Sequence, residues 1–210
     1  MSVDLGIYEK AMPESFSFKE KLALARRAGF DYLEISIDES DKKLSRVFDA
    51  STRREFVNAA KNSDIRVKTM CLSGHRRFPL GSHDAETRRK SLELMQAAID
   101  FALDAGVRII QLAGYDVYYE EGDDFTRAAF AENLAKCAEM AARAGVYMGF
   151  ETMETEFMNT ATKAKRYVDM INSPYLKIYP DMGNIRNATE DYLGDLRACR
   201  GDIIAAHLKA

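Results

Sequence analysis

Cysteine is scarce in this chain, and its three copies, Cys71, Cys137 and Cys199, lie far apart and are odd in number. That spacing builds neither a zinc site nor a disulfide framework. The three read as buried core or helix-face residues, and their reduced state fits a cytoplasmic location. No apolar stretch approaches the length of a membrane span. Met1-Ser2-Val3-Asp4-Leu5 lacks the basic-then-apolar order of a signal peptide. Surplus positive charge is missing too: the net charge is −3 and the pI near 5.7, which disfavours nucleic acid and anionic membranes as partners. No linker or low-complexity segment divides the chain. What is there is 210 residues, 47% hydrophobic and 30% charged. That suffices for one core and one domain over 1–210.

Short apolar runs alternate with longer amphipathic ones. The short runs are Leu5–Tyr8, Tyr32–Ile37, Arg66–Cys71, Val107–Leu112, Val146–Phe150, Leu176–Tyr179 and Ile203–Ala206. Near-continuous apolar runs suit strands covered on both faces. The patterns Phe18–Ala28, Ser51–Asn62, Thr87–Asp104, Phe125–Arg143, Ala161–Ile171 and Thr189–Arg200 carry helical spacing. Ala28-Gly29-Phe30, Ala105-Gly106-Val107 and Ala144-Gly145-Val146 each close a helix with a glycine and open a strand. Ser51, Asp84 and Thr160 suit N-caps. Strict alternation implies a parallel sheet with right-handed crossovers. The first strand is followed by Gly6-Ile7-Tyr8-Glu9-Lys10-Ala11, not by the glycine loop of a doubly wound nucleotide fold. The expectation is therefore a (β/α)8-type TIM barrel with about seven strands present. Its final helix–strand–helix portion is expected to be missing.

Three acid- or histidine-bearing strand ends stand out. Glu151 ends Gly149-Phe150-Glu151, Asp181 follows Tyr179-Pro180, and His207 follows Ile203–Ala206. Successive members are about one βα unit apart, so all three can converge on the barrel mouth. Two carboxylates and an imidazole suit Mn²⁺, Zn²⁺, Co²⁺ or Mg²⁺. The alternative is that the acids serve helix N-termini and His207 is a core histidine. The long loop Cys71–His83 carries His75, Arg76 and Arg77, which suit an anionic group or surface ion pairs. Tyr115, Tyr118 and Tyr119 could cap a pocket or pack on neighbouring loops. Glu34, an acid inside a strand, needs a partner or a role.

These segments carry a resemblance that runs nearly end to end. Leu5–Ala11, Gly29–Glu39, Ser73–Ser82, Gln111–Tyr119, Glu151-Thr152-Met153, Pro180–Asn184 and His207-Leu208-Lys209 resemble the L-ribulose-5-phosphate (L-xylulose-5-phosphate) 3-epimerases of the xylose-isomerase-like barrel superfamily. The resemblance implies a cytoplasmic isomerase, expected as a homo-oligomer (a dimer), acting on a sugar phosphate. It implies one divalent metal, Zn²⁺ or Mn²⁺, held by Glu151, Asp181, His207 and a further glutamate on a later strand. Glu151 would remove the C3 proton of a pentulose 5-phosphate to give an enediolate, and the later glutamate would serve the opposite face. His75, Arg76, Arg77, Tyr115 and Lys209 would bind substrate. Little or no activity is expected of this 210-residue form, for want of the second acid. A related sugar isomerase and a non-catalytic barrel are the alternatives.

Overall fold

A computed structural model describes residues 3–208. Its strands are β1 (Gly6–Tyr8), β2 (Tyr32–Ser36), β3 (Arg66–Leu72), β4 (Ile109–Ala113), β5 (Tyr147–Glu151) and β6 (Leu176–Ile178). Its α-helices are α1 (Phe18–Arg27), α2 (Asp41–Phe48), α3 (Ala50–Lys61), α4 (Ala85–Ala105), α5 (Asp124–Ala144), α6 (Ala161–Ile171), α7 (Met182–Ala188) and α8 (Tyr192–Ala198). All six strands are parallel, and their order in the sheet is their order in the chain. A doubly wound sheet would reverse direction at a switch point; this one never does.

The sheet also curls. Glu34 on β2 touches Tyr179 and His207 at the far end of the strand order. Strands sit about 4.8 Å apart, so that contact is out of reach in a flat sheet. Along β2 the two faces differ accordingly. Leu33 and Ile35 are fully buried under the helices, while Glu34 points into the barrel. A register shift at Leu33/Glu34 sets Glu34 opposite Thr69, a bulge of the kind that re-aims a side chain beside a site.

The helices cover the outer face with Leu22, Leu94, Met95, Phe101, Phe130 and Leu134. Their ends follow local chemistry. Asp84 and Thr160 accept backbone N–H groups at the starts of α4 and α6. Gly106 and Gly145 close α4 and α5 at φ 79° and 68°, where a side chain would be strained.

Three expectations need correction. The N-cap of α3 is Asp49, not Ser51, whose hydroxyl donates to Asp49 instead. The pattern Thr189–Arg200 is not one helix: Asp181 starts α7, Thr189 is extended, and Asp191 starts α8. The seventh run forms no continuous strand but two isolated parallel bridges, Ile178↔Ile203 and Asp181↔His207. Pro180 lies between them and has no N–H to donate, so the ladder is interrupted there. It resumes one residue out of step, with His207 N–H donating to the Pro180 carbonyl at 2.9 Å.

Candidate metal centre

The ends of β5, β6 and the 203–207 segment meet inside the mouth. Glu151 is the last residue of β5. The following Thr152 ties it to Asp181: its hydroxyl accepts the Asp181 N–H at 3.0 Å and donates to the Asp181 carbonyl at 3.2 Å. Asn184 completes the latch by donating its side-chain amide to the Thr152 carbonyl at 2.7 Å. Asp181 Oδ1 also accepts the Asn184 N–H at 2.8 Å as the cap of α7. The helix-start reading of this acid and the site reading are thus compatible.

His207 stands between carboxylates. Its Nδ1 lies 3.1 Å from Glu151 Oε1 and its Nε2 2.6 Å from Glu34 Oε1. Glu34 is itself fixed: Oε2 accepts the Thr69 hydroxyl at 2.6 Å and the Tyr179 phenol at 2.9 Å. Burial alone would push the His207 pKa down. The hydrogen bonds and charges of Glu151 and Glu34 outweigh it and push the pKa up to about 10, so a proton supplies positive charge between the two acids.

One ligand atom each from Glu151, Asp181 and His207 lies within 4.8 Å of the others. A divalent ion bonds such atoms at about 2.0–2.2 Å, so modest closure would let one ion reach all three. Two further observations fit. No described lysine or arginine is ion-paired to Glu34 or Glu151. Gln111 Nε2 lies 2.9 and 3.3 Å from the two ring nitrogens of His207, leaving its buried Oε1 without a partner. The carboxylate of Glu34 on Nε2 is also the way proteins orient a histidine whose other nitrogen binds metal.

The model of the xylose isomerase-like TIM barrels matches residues 22–210. The chain belongs to the xylose isomerase-like TIM barrel family. Within it, the chain is 46% identical to L-ribulose-5-phosphate 3-epimerase UlaE of Escherichia coli (strain SMS-3-5 / SECEC), over 99% of this chain and 73% of the relative. The 3-keto-D-glucoside 4-epimerase YcjR of E. coli superposes with a TM-score of 0.81 at 18% identity, over all of this chain and 80% of that one. The IOLI protein with a bound zinc atom superposes at 0.79 with 16% identity, over 98% and 72%. These two structural likenesses show a shared fold.

The other expected site residues divide. His75 is buried, its Nε2 donating to the Ser91 carbonyl of α4 at 3.2 Å. Burial pushes its pKa down to about 4, so it is neutral. Arg77 is engaged at the surface, by Asp41 at 2.6 Å and the Glu39 carbonyl at 3.2 Å. Arg76 instead lies over the rings of Tyr115 and Tyr118, at 5.7 and 5.1 Å from their centroids. Tyr115 is buried and donates its phenol to Glu154 at 2.8 Å. Lys209 lies outside the described residues. Sequence reasoning missed Gln111, Thr152, Tyr179 and Glu154. Gln111 carried a usable signal, a polar side chain inside an apolar strand, as Glu34 did.

Proposed function

We propose that this protein is a metal-dependent isomerase that epimerises C3 of a pentulose 5-phosphate, L-ribulose 5-phosphate or L-xylulose 5-phosphate, in the cytoplasm. The observation that carries this reading is the convergence of Glu151, Asp181 and His207 at three successive strand ends, in a chain 46% identical to a protein named for that reaction. Oxygen and imidazole ligands suit Zn²⁺ or Mn²⁺, and when bound such an ion acidifies a proton beside a carbonyl.

The roles of the chain's own residues follow from their positions. Asp181 is held by Thr152 and the α7 N-terminus, so its carboxylate is fixed before substrate arrives. Glu34 holds the imidazole plane through Nε2 and keeps Nδ1 toward Glu151. The Glu151 side chain is 13% exposed, which makes it accessible as the base that takes the C3 proton. Inversion needs an acid on the opposite face of the enediolate. Exchange with solvent at C3 needs only Glu151. We also propose a homo-oligomer, for which the outer edge of β1, which ends the sheet, is a candidate contact because open edges recruit partners.

The test is proton exchange in D₂O, followed by NMR on L-ribulose 5-phosphate with Mn²⁺ or Zn²⁺ present. Exchange at C3 that disappears in Glu151→Gln is the expected result. Undiminished exchange in that variant removes Glu151 from the role, and exchange at C1 instead identifies an aldose–ketose isomerase.

A further inference from the structure

The chain has three histidines. His207 belongs to the metal centre, and His75 is buried and neutral. His83 has neither place. It ends the loop between β3 and α4, and both of its ring nitrogens rest on carboxylates. Nδ1 lies 2.9 Å from Glu120 Oε2, and Nε2 lies 3.0 Å from Asp123 Oδ2. Its backbone N–H also donates to Glu120 Oε2, at 3.3 Å. Its ring stacks on Phe125, with centroids 5.5 Å apart and planes 12° apart.

These contacts join two loops at the barrel mouth. Residues 115–123, between β4 and α5, form a strap whose two ends are held differently. The inner end is buried. Tyr115 donates to Glu154 at 2.8 Å, the Asp116 carboxylate accepts the Thr126 hydroxyl at 2.7 Å, and the Asp116 carbonyl accepts the Gly81 N–H at 3.0 Å. The outer end, from Tyr119 to Asp123, is exposed. The Tyr119 phenol donates to the Glu39 carboxylate at 2.9 and 3.0 Å, and His83 holds the next residue, Glu120. Tyr118 lies between the ends, its ring edge-on to both Tyr115 and Tyr119 at 4.7 Å. Release of the outer end therefore loosens the tyrosine run that borders the mouth.

We propose that His83 is a proton-operated latch: its imidazolium clasps Glu120 and Asp123 and holds the outer end of the strap, and its neutral form lets that end go. An imidazolium has two N–H donors, one for each carboxylate. A neutral imidazole has one, so the other carboxylate then meets a lone pair. Among the described residues, the facing charges are Glu120 from the strap, Asp123 from the start of α5 and Arg88 from α4. Arg88 opposes the proton, but it is engaged elsewhere. It donates to the Ser82 and His83 carbonyls at 2.5 and 2.9 Å and lies over the Phe125 ring at 5.3 Å. Asp84, next in the chain, is turned to α4, where it accepts the Thr87 N–H at 2.8 Å. The hydrogen bonds of Asp123 and Glu120 push the His83 pKa above its ordinary 6.5. The latch is thus fully closed below pH 6.5 and opens as pH rises through the raised folded value. Glu39 pushes the Tyr119 phenol above its ordinary 10, so that second hold persists while His83 titrates. The latch rests neither on a metal nor on the reaction proposed above.

The experiment reads the strap and the imidazole separately. A nitroxide on Glu121→Cys reports the mobility of the outer strap by electron spin resonance. Cys71, Cys137 and Cys199 are buried, so the label goes to position 121. The His83 ring is titrated by NMR and assigned by its loss in His83→Gln. His83 should titrate above pH 6.5. Over the same range the ratio of mobile to immobile label should rise roughly 2- to 30-fold, the range for two exposed ion pairs lost together. His83→Gln, folded by circular dichroism, should be mobile at every pH. His83→Arg keeps a cation with several donors and should stay immobile throughout. Titration of His83 at or below pH 6.5 overturns the proposal. So does a label that stays unchanged while His83 titrates, or one as immobile in His83→Gln as in the protonated wild type. Mobilisation of His83→Arg in the same pH range assigns the change to another group and overturns it as well.

Discussion

Two buried ionic clusters meet β2 of this barrel, one at Ser36 and one at Glu34, and they are built in opposite senses. Beyond β1, one carboxylate, Glu9, is fully buried among cations. Its oxygens accept Arg46 Nη1 at 2.6 Å and the Ser36 N–H at 2.9 Å, and Lys43 pairs with it. Lys21 donates to its carbonyl at 3.1 Å. At the β5–β6 end, one imidazole, His207, is set among the carboxylates of Glu34, Glu151 and Asp181. The first cluster gives its single acid more donors than it needs. Among the described residues, the second sets its one cationic group, the imidazole of His207, against two carboxylates that bond it, Glu34 and Glu151. A saturated buried acid is a strut between β1, β2 and α2. A surplus of acids around one histidine is a place that gains from a further cation.

The sharpest way to break this contrast is Glu9→Gln. Removing one partner from a buried charge network costs roughly 3–5 kcal/mol, and here it strands three cations. The melting temperature should fall by roughly 10 °C or more, while metal affinity at the other cluster stays the same. The pH dependence has a definite sign. Burial raises the Glu9 pKa, but Arg46 and Lys43 outweigh it and hold it below the ordinary 4.5. Its contribution is therefore present above pH 4.5 and lost as pH falls through the depressed folded value. Acid unfolding of the wild type should steepen below pH 4.5, and the glutamine variant should lack that limb. Equal acid sensitivity in the two proteins would remove Glu9 from the role of strut.

The second cluster should respond to ions instead. Mn²⁺ or Zn²⁺ at 100 times its dissociation constant should stabilise the folded chain by about 2.7 kcal/mol, reversed by a chelator. Asp181→Asn should abolish that gain and Glu9→Gln, melted beside it, should retain it. A metal shift that survives Asp181→Asn would place the ion elsewhere. Next in size is Glu34→Gln. Outer partners of a ligating histidine are worth about 10- to 100-fold in metal affinity, so the variant should bind metal weakly yet remain folded. Unchanged affinity in competition with a coloured chelator would reduce Glu34 to a packing residue.

The sequence showed one of these clusters and hid the other. Glu151, Asp181 and His207 were legible because each ends an apolar run at about one βα unit from the next. Strand period and helix caps such as Asp84, Gly106 and Gly145 were local signals, and the barrel followed from them. Glu9 was hidden because its partners are Lys21, Lys43 and Arg46, on elements whose proximity exists only after folding. Two of those partners sit on α2, a short helix of eight residues whose inward face rests on Leu44 and Val47, too few to mark a period. The difference between Arg76 and Arg77 was equally invisible. Adjacent residues of one type differ here only in which neighbours, Asp41 or two tyrosines, the fold brings to them.

The smallest effect separates the clusters most cleanly. Lys43→Met removes a cation from Glu9 yet leaves Arg46 and the Ser36 N–H on the carboxylate. The remaining cations then repel one another less, and the Lys43 side chain, only 13% exposed, is replaced by one of similar length that packs its stem in the same place. The cost should be under about 1 kcal/mol, far below that of Glu9→Gln, because a pair with a surplus partner is not broken when the surplus leaves. Chemical denaturation of the two variants side by side measures the ratio. If Lys43→Met costs as much as Glu9→Gln, the cluster depends on every one of its charges, and the contrast between a saturated strut and an acid-rich ion site fails at its first member.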